Sequence, residues 1–217
     1  MAQNSNHHAD TTTEVDLAIS KSEKFLHDHN KSILWTALAI VVVAIGVAIF
    51  NHVSQNNEQA AQEQIYAGQF LFEAGDYEQA LGLFEDVIDQ YNTTPAGNLA
   101  KAYAGLCHKN LGNYESAIKV LNGYKTKDAL VGPAVESALG DCYVETGDYA
   151  TAAKHFVNAA KEANNEGMSP LFLFKAGLAY EKCGDKAGAL KAYQTVKDKW
   201  TSTAVGQEIE KYIYRVQ

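Results

Sequence analysis

GDYEQA (75–80), GNYESA (112–117), GDYATA (147–152) and GDKAGA (184–189) are four copies of one pattern, spaced 37, 35 and 37 residues apart. A second glycine precedes each turn glycine by seven residues, at Gly68, Gly105, Gly140 and Gly177, and an alanine follows it by five, at Ala80, Ala117, Ala152 and Ala189. At a background glycine usage of roughly 7%, four matches at one offset arise by chance on the order of once in 10,000 to 100,000. The back two-thirds of the chain is a tandem array.

Each copy reads as a helix, a tight turn and a second helix. In the second, Ala102, Leu106 and Leu111, then Tyr114, Ala117, Val120 and Leu121, recur at helical spacing on either side of Gly112 and Asn113, which supply the turn and the cap. Glycine inside a helix costs about 1 kcal/mol against alanine, so keeping it four times implies a compensating close approach of two helices. Phe84, Leu121, Phe156 and Tyr193, nine residues after each turn glycine, are expected to fill the space between those helices.

These residues resemble the tetratricopeptide repeat family, whose unit is this helical hairpin with a period of about 34. The units would start near Ala61, Asn98, Pro133 and Pro170; Tyr77, Tyr114 and Tyr149 match the aromatic after the family's turn, while Lys186 departs from it. The resemblance implies an all-α chain with a right-handed α-solenoid of about four hairpins over 61–203. A capping helix over 204–217 follows, with Val205, Ile209, Tyr212, Ile213 and Val216 on one face.

Upstream, ILWTALAIVVVAIGVAIF (33–50) has no charge and only Thr36 as a polar side chain. Eighteen residues at 1.5 Å rise reach about 27 Å, close to the hydrocarbon thickness of a bilayer. We expect a single retained transmembrane helix over 33–50, a linker over 51–60 and a leader over 1–32. A cleavable signal peptide is the competing reading, with Ala44, Gly46 and Ala48 as small residues near a cleavage point, but the long acidic leader makes a poor n-region. Lys21, Lys24 and Lys31 precede the span, and no Lys or Arg occurs from Ser32 until Lys101. The positive-inside rule then places the N-terminus in the cytoplasm and the repeats on the other side.

Residues 1–50 carry a formal charge of −2, residues 51–100 carry −8 with no Lys or Arg at all, and residues 101–217 carry +2. The acidic first repeat is either a solvated helical face or a device that holds the solenoid off anionic headgroups. No basic cluster exists to track phosphates, which argues against nucleic acid. Residues 1–13 are expected to be disordered, followed by a short amphipathic helix through Val15, Leu17, Ile19, Phe25 and Leu26. His7, His8, His27 and His29 have no matching Cys or carboxylate spacing and read as a solvated tail rather than a metal site. Cys107, Cys142 and Cys183 read as small buried residues, since equivalent positions in adjacent hairpins lie about 10 Å apart, beyond disulfide reach.

No phosphate-binding glycine loop, nucleophile elbow or zinc-ligand helix is present, and neither an enzymatic activity nor a cofactor is expected. What remains is recognition. In the family the first helix of each hairpin builds the inner face. The resemblance therefore implies Gln69, Phe72 and Glu73; Leu106, Lys109 and Asn110; Asp141, Val144 and Glu145; and Phe174, Leu178, Glu181 and Lys182 as protein-binding candidates. They lack the Lys- and Asn-rich carboxylate clamp of some family members and suit extended or partly unfolded polypeptide, unless several of them pack within the stack. The whole arrangement, with Lys24-Phe25-Leu26 and Asn30-Lys31 before one span and the GDYATAAKHF stretch from Gly147, is similar to the YfgM-type ancillary subunits of the bacterial SecYEG translocon. That resemblance implies a single-pass bacterial inner-membrane protein working beside the Sec translocon with a membrane-anchored periplasmic chaperone. The alternative is a structural adaptor of another cell-envelope assembly.

Overall fold

The computed structural model describes residues 20, 29–125 and 128–217. The expectations for the leader, including His7, His8, His27, Lys21, Lys24 and the amphipathic stretch from Val15 to Leu26, fall outside the described residues. Those residues form helices and no strand, and the chain divides into two units, Met1–Gln55 and Asn56–Gln217.

The first unit contributes the start of α1 (Asn30–Glu73), a helix of 44 residues. It is long and apolar enough to cross a membrane, and the large apolar side chains from Leu34 to Phe50 are exposed rather than packed against protein. Residues 51–60, expected as a linker, are helical within α1. The segment NHVSQNNEQA contains neither Gly nor Pro and ends in good helix formers, so nothing in it breaks the helix.

The second unit is an α-solenoid. The C-terminal part of α1 pairs with α2 (Tyr77–Tyr91), α3 (Pro95–Asn110) with α4 (Tyr114–Leu121), α5 (Val131–Glu145) with α6 (Tyr149–Ala163), and α7 (Ser169–Lys182) with α8 (Lys186–Lys199). The four turn glycines all adopt the left-handed conformation, with φ of 82°, 79°, 84° and 83°. At the first of them the Gly75 N–H donates to the Phe72 carbonyl and the Asp76 N–H to the Leu71 carbonyl, closing the orphan carbonyls of α1 in a Schellman motif. Asp76, Asp148 and Asp185 then cap the second helices by accepting from the N–H of Gln79, Thr151 and Gly188. Asn113 holds the same position but makes no side-chain cap hydrogen bond.

Within each hairpin the upstream glycine lies under the ring or branched side chain nine residues past the turn. A Cβ at Gly68 would stand 2.7 Å from Phe84, at Gly105 2.4 Å from Leu121, at Gly140 2.6 Å from Phe156, and at Gly177 2.1 Å from Tyr193. Real carbon contacts do not approach so closely, so glycine is required there. From the next repeat Tyr103 and Lys175, each nine residues before a turn glycine, cover the same group, Tyr103 stacking on Phe84 at 5.0 Å and Lys175 sitting 5.3 Å over Phe156, and in the C-terminal stretch Tyr212 lies 5.6 Å from Tyr193. Each large core group is thus held between its own hairpin and the following one, which makes the stack cooperative between neighbours.

Between hairpins a second recurring device appears. Thr94 and Thr203 cap the next helix by accepting from the N–H of Gly97 and Gly206, while their hydroxyls donate to the carbonyls of Tyr91 and Trp200. The two glycines abut those same carbonyls, where a Cβ would stand 1.9 and 2.0 Å away. The C-terminal stretch, expected as one helix, is two: α9 (Ala204–Glu208) and α10 (Glu210–Val216), joined at the fully buried Ile209. The Ile209 N–H reaches back only three residues, to Gly206, so the helix tightens and breaks at that point. Ile209, Ile213 and Val216 are buried against α6–α8 and close that end of the core. Cys107 and Cys142 are buried and unbridged, whereas Cys183, expected to be buried, is exposed because it sits at the C-cap of α7 outside the helix pair.

Candidate protein-interaction surface

The first helices α1, α3, α5 and α7 present one side chain after another along a shared face, and many of the candidates there are paired with other side chains of the stack. The Gln69 amide donates to the Tyr103 hydroxyl at 2.9 Å. Lys109 lies 3.6 Å from Asp141, whose other oxygen accepts from Lys175 at 2.9 Å, so one carboxylate bridges three successive hairpins. Glu181 accepts from Arg215 at 2.6 Å and from the Tyr193 hydroxyl at 2.5 Å, tying α10 to α7. Phe72 packs edge-on against Tyr77 and Tyr103, and Phe174 against Tyr212 at 4.7 Å. These side chains form a ladder that fixes the spacing of the hairpins.

Sequence reading missed Tyr103, Lys175 and Arg215, the ladder partners of Gln69, Asp141 and Glu181. Their signal was present: each complementary pair is separated by 34 residues. Leu106 and Val144 are half-buried in the apolar clusters of their own hairpins. Leu178 is 36% exposed, and Glu73, Asn110, Glu145 and Lys182 are exposed with no ion pair among the described residues. Near the first hairpin Tyr66 and Phe70 stand 66% and 73% exposed. The positions equivalent to Phe70 in later repeats, Cys107, Cys142 and Ala179, are buried against the preceding hairpin. A cavity of about 210 Å³ opens between α1 and α3, lined by Gln62, Tyr66, Gln69 and Leu99.

The electrostatics follow from this packing. Burial pushes the Glu181 carboxyl up, but hydrogen bonds from Arg215 and Tyr193 outweigh it and hold the group below its ordinary range. Burial, and then the hydrogen bond to Glu181, raises the Tyr193 phenol. The Cys107 thiol is pushed up to about 12 by burial and by Glu85, and the Cys142 thiol to about 11, chiefly by burial, so both stay protonated and unreactive near neutrality. Among the described residues no three His, Cys, Asp or Glu side chains come together to hold a metal. What the surface offers is apolar area, both charge signs and a regular helical spacing.

A tetratricopeptide repeat family model matches residues 67–130 and 137–202. No curated protein matches the chain. Among solved structures, the nearly identical TPR-like repeats of a kinesin light chain-type protein of Podosopora anserina superpose with a TM-score of 0.58 at 12% identity, covering 73% of this chain and 86% of that one. A tetratricopeptide repeat protein of Parabacteroides merdae superposes with a TM-score of 0.60 at 14% identity, covering 73% of this chain and 60% of that one. Likeness at these identities bears on the fold alone.

Proposed function

The chain belongs to the tetratricopeptide repeat family, a fold that serves protein–protein interaction, and from that premise we propose that it is a membrane-anchored scaffold presenting its repeats to polypeptide on the extracytoplasmic side. The observation that carries this reading is α1, in which an exposed apolar stretch suited to a bilayer and the first helix of the repeat array belong to one continuous helix. The lysines before the span and their absence up to Lys101 favour an N-in orientation in a bacterial inner membrane. In this reading the scaffold stands beside the Sec translocon, in the manner of the YfgM-type subunits. It holds a translocating chain or a membrane-anchored chaperone against Leu178, the exposed helix-end residues Glu73, Asn110, Glu145 and Lys182, and the accessible parts of Phe72, Leu106, Val144 and Phe174. The paired groups Gln69, Lys109, Asp141 and Glu181 set the spacing of that surface.

In vivo photocrosslinking from Leu178 and Asn110 tests it. Recovery of many nascent secreted chains, or of a periplasmic chaperone together with translocon subunits, is the expected result. A single stoichiometric envelope protein would instead identify a structural adaptor, and labelling only from the cytoplasmic side would overturn the topology.

A further inference from the structure

The outer face of the last two hairpins carries a cavity of its own, formed by residues other than the inner-face candidates. Between the second helices α6 and α8, floored by α7, lies a cavity of about 320 Å³, within the range of ligand pockets. Its floor is apolar, with Leu173 buried and Trp200 half-buried. Its rim carries Lys161, Lys191 and Lys199, all exposed, and no carboxylate lines it. None of the three lysines forms an ion pair among the described residues. Of the neighbouring carboxylates, Asp185 caps α8 through the Gly188 N–H and Asp198 accepts from Gln194, while Asp128 and Glu162 line an adjacent cavity with Lys161, which leaves Lys191 and Lys199 as the free basic rim.

We propose that this groove binds an extended acidic polypeptide segment that alternates carboxylates with apolar side chains. Lys191 and Lys199 are eight residues apart on α8, a row of positive charge about 12 Å long. An extended chain covers that length in about four residues, with alternate side chains turned toward the apolar floor and toward the basic rim. A small anion would require donors converging on one point, and lysines spread along a helix do not converge. The site is built from charge complementarity and an apolar anchor pocket, the same combination that gives acidic-motif binders their specificity.

The test uses the full chain in detergent micelles and a short fluorescein-labelled peptide alternating Glu with Leu around a central Phe. Fluorescence anisotropy should show saturable binding that weakens as salt is raised, because exposed charges are screened over about 10 Å at 0.1 M. The variants Lys191→Glu and Lys199→Glu should each weaken it about tenfold or more, while Lys119→Glu, exposed on α4, leaves it unchanged. Circular dichroism of each variant must match the parent. The proposal is overturned by any of four results: no binding, equal binding of the peptide with Gln in place of every Glu, displacement by inorganic phosphate, or full retention in both α8 variants. A drop in oligomeric size of Lys191→Glu in the absence of peptide would also overturn it, by identifying a second copy of the chain as the occupant.

Discussion

The pairing of Gly68, Gly105, Gly140 and Gly177 with Phe84, Leu121, Phe156 and Tyr193 is the smallest unit from which this fold is built. Each glycine removes a Cβ that would otherwise overlap its partner by an ångström or more of ordinary contact distance. The partner is too deeply enclosed to swing away, since all four of those side chains are at most 2% exposed. Gly140→Ala should therefore destabilise the domain by about 1 to 3 kcal/mol, the usual cost of overpacking. Replacing Phe156 with Leu in the same chain should return part of the loss, giving a coupling of about 0.5 to 3 kcal/mol between the two changes. Gly82, on the exposed face of α2 with nothing near its missing Cβ, is the control. There alanine should stabilise by about 0.4 to 1 kcal/mol. Denaturant unfolding of Gly140→Ala, Phe156→Leu, the double variant and Gly82→Ala decides the matter, and additivity of the Gly140 and Phe156 changes would mean that the two residues do not touch.

At the scale of helices, the turn chemistry was legible and the junction chemistry was not. A glycine followed by Asp or Asn announces a left-handed C-terminal residue and an N-cap, and the structure places Gly75, Gly112, Gly147 and Gly184 there. The junctions at Thr94–Gly97 and Thr203–Gly206 also recur in the sequence. Their meaning depends on a carbonyl of the preceding helix pressing on the glycine, a contact that no local pattern encodes. The break at Ile209 and the exposure of Cys183 were hidden for the same reason, because both are decided by which neighbour covers the residue. One irregularity among the caps carries a prediction. Asp76, Asp148 and Asp185 have φ between −83° and −85° and ψ between 70° and 78°, and Asn113 adopts nearly the same backbone, φ −88° and ψ 64°. Asn113→Asp should accept the missing N–H of α4 and place a negative charge at its N-terminus, stabilising the domain by about 0.3 to 1 kcal/mol. A rise in Tm that shrinks when salt is added would fit this account, and an unchanged Tm would show that Asn113 already caps the helix.

Across the whole molecule, the candidate inner face was legible as a set of positions but not as a set of roles. Sequence position places Gln69, Lys109, Asp141 and Glu181 on the first helices. Only the stacking of hairpins shows that they reach Tyr103, Lys175 and Arg215 and so serve spacing before any recognition. The contact of Glu181 with Arg215 and Tyr193 is a polar tie between the last helix and the array, beside the Lys197–Glu210 pair and the buried Ile213 and Val216, and it makes the stack sensitive to pH at both ends of the scale. The folded chain holds the Glu181 carboxyl below its ordinary value of about 4.3, so its contribution is complete above that pH and is lost as pH falls through the depressed folded value. Tyr193 behaves in the opposite direction. Its phenol is raised in the folded chain, so its contribution is complete below about pH 10 and is lost as pH rises from there through the folded value. Glu181→Gln should accordingly lower Tm near neutrality and flatten the acid limb of a plot of Tm against pH. Tyr193→Phe, which keeps the ring between Gly177 and Tyr212, should flatten the alkaline limb while costing about 0.5 to 3 kcal/mol for the lost hydrogen bond to a charged group. Differences from the parent chain at each pH isolate these two groups from the other carboxylates and tyrosines. If both variants run parallel to the parent across the whole range, the Glu181–Arg215–Tyr193 contact does not hold α10 to the solenoid in solution.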